Sequence, residues 1–308
     1  MIRGIASQIG KATKRSRFGN NAASQSEGTL RAAEFCIKSG FSFHLIDAEL
    51  PENYLSATEL ERLLDLSEES ESSIATYVTV SARHEAAPDL VEQYVEVLAK
   101  HANGGLCLVA GNPAYLSESE RQQNATLRTK ELVILAREKL PSAPIFLGIE
   151  GLSDEAAKLA CEYALTPFML LDGSMGKRAN TLRDYCDLGL GVYCPSLLSW
   201  EDDARFTIRF LGPYALRRRW VRENLRQNGL RVPQVRSEIL GKEPIQEGTV
   251  SAMLDIIKEL ALLDVKTLRG RLDSFSSIGV RYVALLPSTE QPEELEKLSA
   301  VTAGYESE

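Results

Sequence analysis

Short apolar runs recur along the whole chain, and each one ends in small or polar residues before a stretch with helical periodicity. Their aliphatic and β-branched content, without strict alternation, is typical of parallel strands covered on both faces. Most intervals between them have the length that a helical crossover requires. The pattern predicts eight strands, which are Ile2–Ser7, Phe43–Asp47, Ile74–Ser81, Leu106–Gly111, Pro144–Glu150, Pro167–Asp172, Gly191–Pro195 and Val280–Pro287.

Eight β-α units are the number that closes a (β/α)8 TIM barrel, whose functional side chains lie where the strands end. We therefore expect an α/β fold with a single barrel domain over residues 1–308. The interval before the last strand is overlong, and it contains a charged helical stretch over Trp200–Gln227, a break at Pro233 and two further helical patterns. Residues 199–279 are predicted to form a helical insertion, with a separate small domain as the alternative.

Composition narrows the class of protein. The 308 residues are 44% hydrophobic, which is enough for a substantial core. A net charge of −8 disfavours a nucleic-acid partner, which would call for a basic face. No apolar run approaches the roughly 20 residues that cross a bilayer, and the N-terminus lacks a secretory pattern. We expect a cytoplasmic protein with no membrane partner, and the sequence leaves open whether it forms a homodimer.

The strongest local binding signal is the segment LDGSMGKRAN after the sixth strand. Gly173 and Gly176 allow close approach of the backbone, Ser174 can donate or accept, and Lys177 and Arg178 open the next helix. Free N–H groups at a helix start, supported by two cations, form an anion site. The alternative is an ordinary turn that carries a solvated basic pair.

A second basic segment is the long loop after the first strand, which contains Lys11, Lys14, Arg15 and Arg17 in an otherwise acidic chain. Because it follows a strand, it is expected at the functional end of the barrel. It is suited to bind an anionic tail, and the alternative is a solvated surface loop.

Polar residues at the strand ends are candidates for chemistry, because catalytic groups in barrels come from the ends of several strands. Carboxylates brought together there act as general acid or base when burial raises a pKa. A helix-capping or loop-bracing role is the alternative for each of them. His84 is the histidine expected near the mouth, and no spacing typical of a zinc site is present. The strand-end candidates are Asp47, Ser81, Asn112, Glu150, Asp172 and Ser196.

Four segments carry a resemblance to a known family. They are LRAAEFCIKSGFSFHLID, APIFLGIEGLSDEAAKLACEYA, GVYCPSLLSWEDDARFTIRFLGPYAL and TLRGRLDSFSSIGVRYVALLP. Together they resemble the luciferase-like monooxygenase superfamily, and among its branches the deazaflavin-dependent methylenetetrahydromethanopterin reductases. The resemblance implies a (β/α)8 barrel with insertions that binds FMN or a deazaflavin (coenzyme F420) and acts as a monooxygenase or reductase on a small-molecule substrate.

The resemblance, which matches Asp47, Gly148, Glu150 and Gly151 to family positions, and the local patterns described above together give the candidate site residues. Asp47, Glu150 and His84 become the candidate catalytic residues. Two expected polar groups are absent, because Ala48 follows the aspartate where relatives often have histidine, and Ala6 stands near the position of a strand-one glutamate. An irregular peptide would fall near Ser81–Ala82. The cofactor-binding candidates are Ser81, Gly111, Asn112, Gly148, Gly151, Gly173, Ser174, Gly176, Lys177 and Arg178.

Three functions follow from these observations. The first is a luciferase-like oxidoreductase that exchanges hydride between its cofactor and a small organic substrate. The second is a non-catalytic barrel that serves as a binding or subunit scaffold. The third is a lyase or isomerase that binds phosphate at the segment from Gly173 to Arg178, since barrels host many chemistries.

Overall fold

The computed structural model describes residues 2–8, 25–47, 54–69, 74–111, 116–148, 155–170, 190–196, 204–216, 218–260, 265–287 and 296–300. Neighbouring strands are parallel throughout, and the last strand pairs with the first, so that the sheet curls into a closed ring. The predicted α/β fold with a curled parallel sheet is confirmed. The strands are β1 Ile2–Gln8, β2 Phe43–Asp47, β3 Ala75–Ser81, β4 Gly104–Val109, β5 Ile145–Gly148, β6 Thr166–Leu170, β7 Leu190–Ser196 and β8 Val280–Pro287.

Helices connect the strands and pack outside the sheet, as right-handed crossovers between parallel neighbours require. The crossover from β6 to β7 lies outside the described residues. Within the described ranges, none of the helices combines the length and apolar character needed to cross a bilayer. The helices are α1 Gln25–Lys38, α2 Ala57–Glu69, α3 Ala87–Leu98, α4 Glu118–Gln122, α5 Ala125–Lys139, α6 Glu155–Glu162, α7 Ala204–Ala215, α8 Arg219–Gln227, α9 Val232–Ile239, α10 Glu247–Leu260 and α11 Val265–Ser277.

The helical segment between β7 and β8 differs in detail from the prediction. One long helical stretch over Trp200–Gln227 was expected, but α7 ends at Ala215 and α8 begins at Arg219. Pro213 lies in the last turn of α7, where its missing N–H weakens the helix. Arg218 is extended and precedes the new helix. Pro233, expected as a break, instead occupies the first turn of α9, where proline is well tolerated.

The outer face of the sheet packs against the helices through aliphatic side chains. Val78 and Val80 of β3 and Leu106 of β4 belong to one buried cluster with residues of α2, α3 and α5. Tyr94 of α3 is also buried there, and its hydroxyl accepts from the N–H of Leu55 (3.0 Å) and donates to the carbonyl of the same residue (3.1 Å). This pair of hydrogen bonds ties α3 to the segment that precedes α2.

The inner face at the N-terminal end is filled by aromatic rings. The ring centroid of Phe146 lies 4.2 Å from that of Tyr77, 4.9 Å from Phe168, 5.2 Å from Tyr282 and 6.2 Å from Phe43. These separations and tilted or edge geometries are those at which aromatic pairs attract, beyond the area that they bury. Five rings from β2, β3, β5, β6 and β8 therefore form one packed layer.

Glycines on the other three strands make room for these rings. In the register of the sheet, Gly4 pairs with Phe43, Gly105 with Tyr77 and Gly191 with Phe168. A Cβ at Gly105 would lie 2.6 Å from a ring carbon of Tyr77 and 2.5 Å from the carbonyl oxygen of Pro144. A Cβ at Gly4 or Gly191 would overlap the ring of its partner. We call these five rings and three glycines the aromatic–glycine layer.

We predict opposite effects on stability for two Gly→Ala substitutions. Gly105→Ala should lower the free energy of unfolding by about 1–3 kcal/mol, because neither the Tyr77 ring nor the backbone can move away freely. Gly270→Ala is the matched control, since nothing lies within 4 Å of the added Cβ on α11. It should raise that free energy by up to about 1 kcal/mol through helix propensity. Urea unfolding measures both, and a neutral Gly105→Ala would contradict the packing described here.

Candidate binding site at the C-terminal end of the barrel

Above the aromatic–glycine layer, the interior side chains become smaller. Two residues further along their strands, the rings of Phe43, Tyr77 and Tyr282 are followed by Leu45, Thr79 and Ala284 on the same face. All three are buried. Smaller side chains fill less of the cross-section than rings do, so the interior is less crowded toward the C-terminal end. That end is where barrels bind their ligands.

Ser81 ends β3 at the next interior position and has an unusual environment. Its hydroxyl is fully buried and has no hydrogen-bond partner among the described residues. Gly111, which follows β4 with φ +87°, packs directly against it, and a Cβ at Gly111 would overlap the Ser81 oxygen. An unsatisfied buried hydroxyl costs about 1–3 kcal/mol. A ligand that hydrogen-bonds to Ser81 would recover this energy.

Arg83 fastens the loop after β3 to the loop after β4. Its Nε donates to the carbonyl of Ala110 (2.7 Å) and its Nη2 to that of Gly111 (2.9 Å). The N–H of Ala82 donates to Val109 (2.7 Å) and extends the pairing of the two strands by one step. Burial lowers the pKa of Arg83, yet a guanidinium stays charged. The two loops are thus held as one rigid unit.

His84 and Glu120 form a hydrogen-bonded pair beside this unit. The His84 Nδ1 lies 3.0 Å from the Glu120 Oε1, which also accepts from the N–H of Glu85 (3.1 Å). The His84 ring is buried and meets the ring of Tyr54 edge-on, with 6.2 Å between centroids. Residues from the loops after β2, β3 and β4 therefore fix one imidazole in place.

A capping box at the start of α4 stabilises the ionised form of Glu120. Its Oε2 accepts from the N–H of Ser117 (2.8 Å), and the Ser117 hydroxyl accepts from the N–H of Glu120 (3.3 Å). Partial burial raises the pKa of Glu120, but hydrogen bonds from Ser117, Glu85 and His84 lower it to about 2. An ionised Glu120 only accepts, so Nδ1 of His84 donates to it.

The structure brings some of the predicted site residues together. Ser81, Gly111 and His84 lie in the unit formed by the loops after β3 and β4. Gly148 ends β5, where a Cβ would lie 2.7 Å from the Cγ1 of Val109. Asp47 ends β2 in register with the last residue of β1, and Ser196 ends β7. The peptide between Ser81 and Ala82 is trans. The candidates outside the described residues are Asn112, Glu150, Gly151, Asp172, Gly173, Ser174, Gly176, Lys177, Arg178, Ala48 and the basic loop 11–17.

Two residues of the candidate site were missed from the sequence, namely Arg83 and Glu120. Glu120 carried a visible signal, because Ser117 and Glu120 have the spacing of a capping box. Nothing local identifies Arg83, since its acceptors are carbonyls that lie 27 and 28 residues further along the chain.

The other two histidines have structural positions. His44 alternates with the interior residues of β2 and is fully buried, and this burial lowers its pKa to about 4, so it is neutral at neutral pH. The Nδ1 of His101 lies 3.1 Å from the Oε2 of Glu68 on α2, away from the strand ends. In the part of the chain that the structure describes, no cluster of three or more His, Cys, Asp or Glu is arranged to hold a metal ion.

Two solved structures that share this fold match nearly the whole chain at low sequence identity. An F420-dependent secondary alcohol dehydrogenase in complex with an F420–acetone adduct matches with a TM-score of 0.62 at 13% identity, over 99% of both chains. The FMN-bound oxygenating constituent of 3,6-diketocamphane monooxygenase from Pseudomonas putida, a type II Baeyer–Villiger monooxygenase, matches with a TM-score of 0.58 at 13% identity, over 99% of this chain and 98% of that one. The resemblance to the luciferase-like superfamily is thereby confirmed in the fold.

The family of the chain is established separately. A family model matches residues 25–294, and the chain belongs to that family, which is described as a family of unknown function (DUF7388). No protein of curated function matches the sequence.

The network around Glu120 leads to a prediction about acid stability. Because its pKa in the folded protein lies below the ordinary 4.5, the ionised carboxylate stabilises the fold above pH 4.5, and this contribution is lost as the pH falls toward 2. Glu120→Gln should lower the free energy of unfolding by about 1–2 kcal/mol at pH 7. The difference from wild type should shrink between pH 5 and pH 3.

The control is Glu118→Gln on the same helix, whose side chain is 74% exposed and pairs with Arg121. It should change stability by less than about 0.5 kcal/mol, as exposed ion pairs do. Urea unfolding at several pH values compares the two variants. Equal effects of Glu118→Gln and Glu120→Gln would contradict the special role of Glu120.

Proposed function

We propose that this chain is a luciferase-like oxidoreductase that binds FMN or coenzyme F420 at the C-terminal end of its barrel and exchanges hydride with a small organic substrate. The observation that carries the proposal is the buried Ser81 hydroxyl, which packs against Gly111 and has no hydrogen-bond partner in the part of the chain that the structure describes. Proteins of the same fold that are bound to F420 and FMN support it.

The residues at this end suit a flat, polar-edged ring. Ser81 offers one hydroxyl that donates or accepts at the ring edge, and Gly111 and Gly148 lack the side chains that would keep a plane away. Arg83 holds the two neighbouring loops, so the pocket is preorganised and less binding energy is spent on ordering it. When bound, such a cofactor supplies the hydride chemistry, and the protein supplies position and proton transfer.

In this proposal, His84 is the residue that transfers the proton. Alanine at positions 6 and 48 removes two polar groups that relatives place near the reacting carbon. His84 retains Nε2 for a substrate hydroxyl or carbonyl, while Glu120 orients the imidazole through Nδ1. Asp47 and Glu150, as further strand-end carboxylates, are proposed to assist on the neighbouring sides of the mouth.

The cofactor phosphate is proposed to bind at the segment after β6. There Gly173, Ser174 and Gly176 would offer backbone N–H groups, and Lys177 and Arg178 would offer charge. Asn112 and Gly151 are proposed to line the ring, and the basic loop of residues 11–17 is the candidate for an anionic tail.

The same proposal covers the architecture of the whole chain. We propose one (β/α)8 domain over residues 1–308, in which the crossover from β6 to β7 supplies the remaining helix. Residues 199–279 would be its insertion, since α7 to α10 share one apolar cluster with interior residues of the barrel such as Phe43 and Ala284.

The first test is direct titration of the purified protein with FMN and with F420, followed by quenching of ligand fluorescence. We expect one of the two to bind. Ser81→Ala should weaken its binding by about 3–10-fold, because one hydrogen bond to the ring edge is lost. Gly111→Ala should weaken binding further, since the new methyl group takes the space beside Ser81.

The matched control is Gly241→Ala, at a left-handed position with φ +76° in the segment between β7 and β8. It should leave the affinity unchanged. If neither FMN nor F420 binds at high micromolar concentration, the redox proposal fails and the scaffold function takes its place.

A second titration tests the phosphate segment. Lys177→Ala and Arg178→Ala should each weaken binding of the cofactor by about tenfold or more, because a charge-assisted hydrogen bond contributes about 1.5–3 kcal/mol. Riboflavin, which lacks the phosphate, should bind both variants as it binds wild type. Unchanged FMN or F420 affinity in both variants would assign these side chains to the solvated surface.

A further inference from the structure

Charge is distributed unevenly along the described surface. Residues 216–242, which include α8 and α9, contain eight Lys or Arg against two Glu, a net charge of +6. The whole chain has −8, so the rest of it carries −14. One of the two acids, Glu238, is buried and accepts from the Gln234 side chain (3.0 Å) and the Gln246 N–H (3.2 Å), so it does not offset the exposed cations.

Five of the eight cations in this segment are exposed. Helix α8 buries Val221 and Leu225 on one side and exposes Arg219 and Arg226 on the other, and the Arg219 side chain is 88% exposed. Its bond to Glu223 is an exposed pair four residues away, and such pairs contribute little. Arginine and tryptophan are enriched at protein interfaces, and Trp220 is only partly buried here. We call Arg219, Arg226, Arg231 and Arg236, all exposed, the basic surface.

An acidic counterpart lies along α3. Asp89, Glu92 and Glu96 are spaced by three and four residues, which places them on one face of α3; Glu85 lies just before the helix, and all four are exposed. Helix α3 contains no Lys or Arg. Lys139 of α5 pairs with Glu96 at one end of the row (2.9 Å). We call these four carboxylates the acidic surface.

The helix that packs against α3 carries exposed apolar residues. On α5, Leu127 and Ile134 are 55% and 41% exposed. They are the large hydrophobic residues that the described surface leaves to solvent.

We propose that the acidic surface of one copy of this chain binds the basic surface of a second copy. The chain carries both complementary surfaces. A nucleic acid is the weaker fit to the same arginines, because the −14 carried by the rest of the chain repels a long polyanion.

The two surfaces belong to different parts of the molecule, so the contact is head-to-tail. Helix α3 packs against α2, α5 and β3, whereas α8 packs against α9 in the segment between β7 and β8. In the eight-stranded ring, these positions are far apart along the order of the strands. A head-to-tail contact leaves one surface of each kind free, and it closes into a ring or continues as a chain according to its rotation.

A charge-swap experiment tests this contact by sedimentation velocity. Wild type should self-associate, at least about tenfold more weakly in 0.5 M than in 0.05 M NaCl, because salt screens exposed charges. Arg219→Glu/Arg226→Glu and Asp89→Lys/Glu92→Lys should each be monomeric alone. An equimolar mixture of the two variants should associate with 1:1 stoichiometry, because the first variant keeps the native acidic surface and the second keeps the native basic surface.

The control is Lys266→Glu/Lys297→Glu, which changes the net charge by the same amount as Arg219→Glu/Arg226→Glu, at two exposed sites elsewhere. It should associate as wild type does, and circular dichroism shows whether each variant is folded. A monomeric wild type at both salt concentrations overturns the proposal, as does a mixture that stays unpaired. Binding of a DNA or RNA oligonucleotide by a monomer, lost in Arg219→Glu/Arg226→Glu, overturns it in favour of a nucleic-acid surface.

Discussion

The packing of aromatic rings against glycines at the N-terminal end of the barrel constrains the rest of this structure. Protein interiors are filled to near-crystalline density, so a ring of eight strands must fill a fixed cross-section. Five of the strands place an aromatic ring in this cross-section. The other three have glycine there, namely Gly4, Gly105 and Gly191, because a side chain at these positions would overlap the rings. The Phe146 ring packs against the four other rings. A shift of any one of these five strands along its neighbours would therefore disturb the whole layer.

This register determines which side chains reach the other end of the barrel. A slip of one residue in a strand would turn its interior set outward. Tyr77 lies four residues before Ser81 on β3, so the ring that packs against Gly105 also fixes the level and direction of the buried hydroxyl. Gly148 lies two residues after Phe146 on β5, so the packing of the Phe146 ring also fixes the level of Gly148. One strand register therefore determines both the aromatic–glycine layer at the N-terminal end of the barrel and the polar side chains at its C-terminal end.

The strands could be predicted from the sequence because their signal is local. The expected ranges for β2 and β8 match the structure at both ends, and the others differ at their ends by one or two residues. The aromatic–glycine layer could not be predicted, since the pairing of Tyr77 with Gly105 depends on a register across 28 residues. The single helix expected over Trp200–Gln227 was wrong because its charged periodicity continues through a backbone break near Arg218.

The residues of the candidate site also divide into those with a local sequence signal and those that depend on a distant contact. Ser81, Gly111 and His84 were predicted from their positions at strand ends, where any barrel gathers its chemistry. Glu120 was not, because its link to His84 joins residues 36 apart in the chain. The carboxylate nonetheless determines what the imidazole can do, since it takes up Nδ1 and leaves Nε2. The position of His84 after a strand made it a candidate from the sequence, whereas its contact with Glu120 became visible only in the folded structure.

The Ser81 hydroxyl also bears on the choice between an enzyme and a scaffold. A barrel kept only for its shape would gain about 1–3 kcal/mol by replacing an unsatisfied buried hydroxyl with an apolar group of similar size. A ligand that bonds to Ser81, as proposed above, would account for a buried serine whose hydroxyl has no partner among the described residues. In the proposed function, binding and turnover are separable, because Ala6 and Ala48 leave proton transfer to fewer groups. General acid–base catalysis contributes roughly 10²–10⁴-fold, and in that proposal the factor depends mainly on the His84 imidazole held by Glu120.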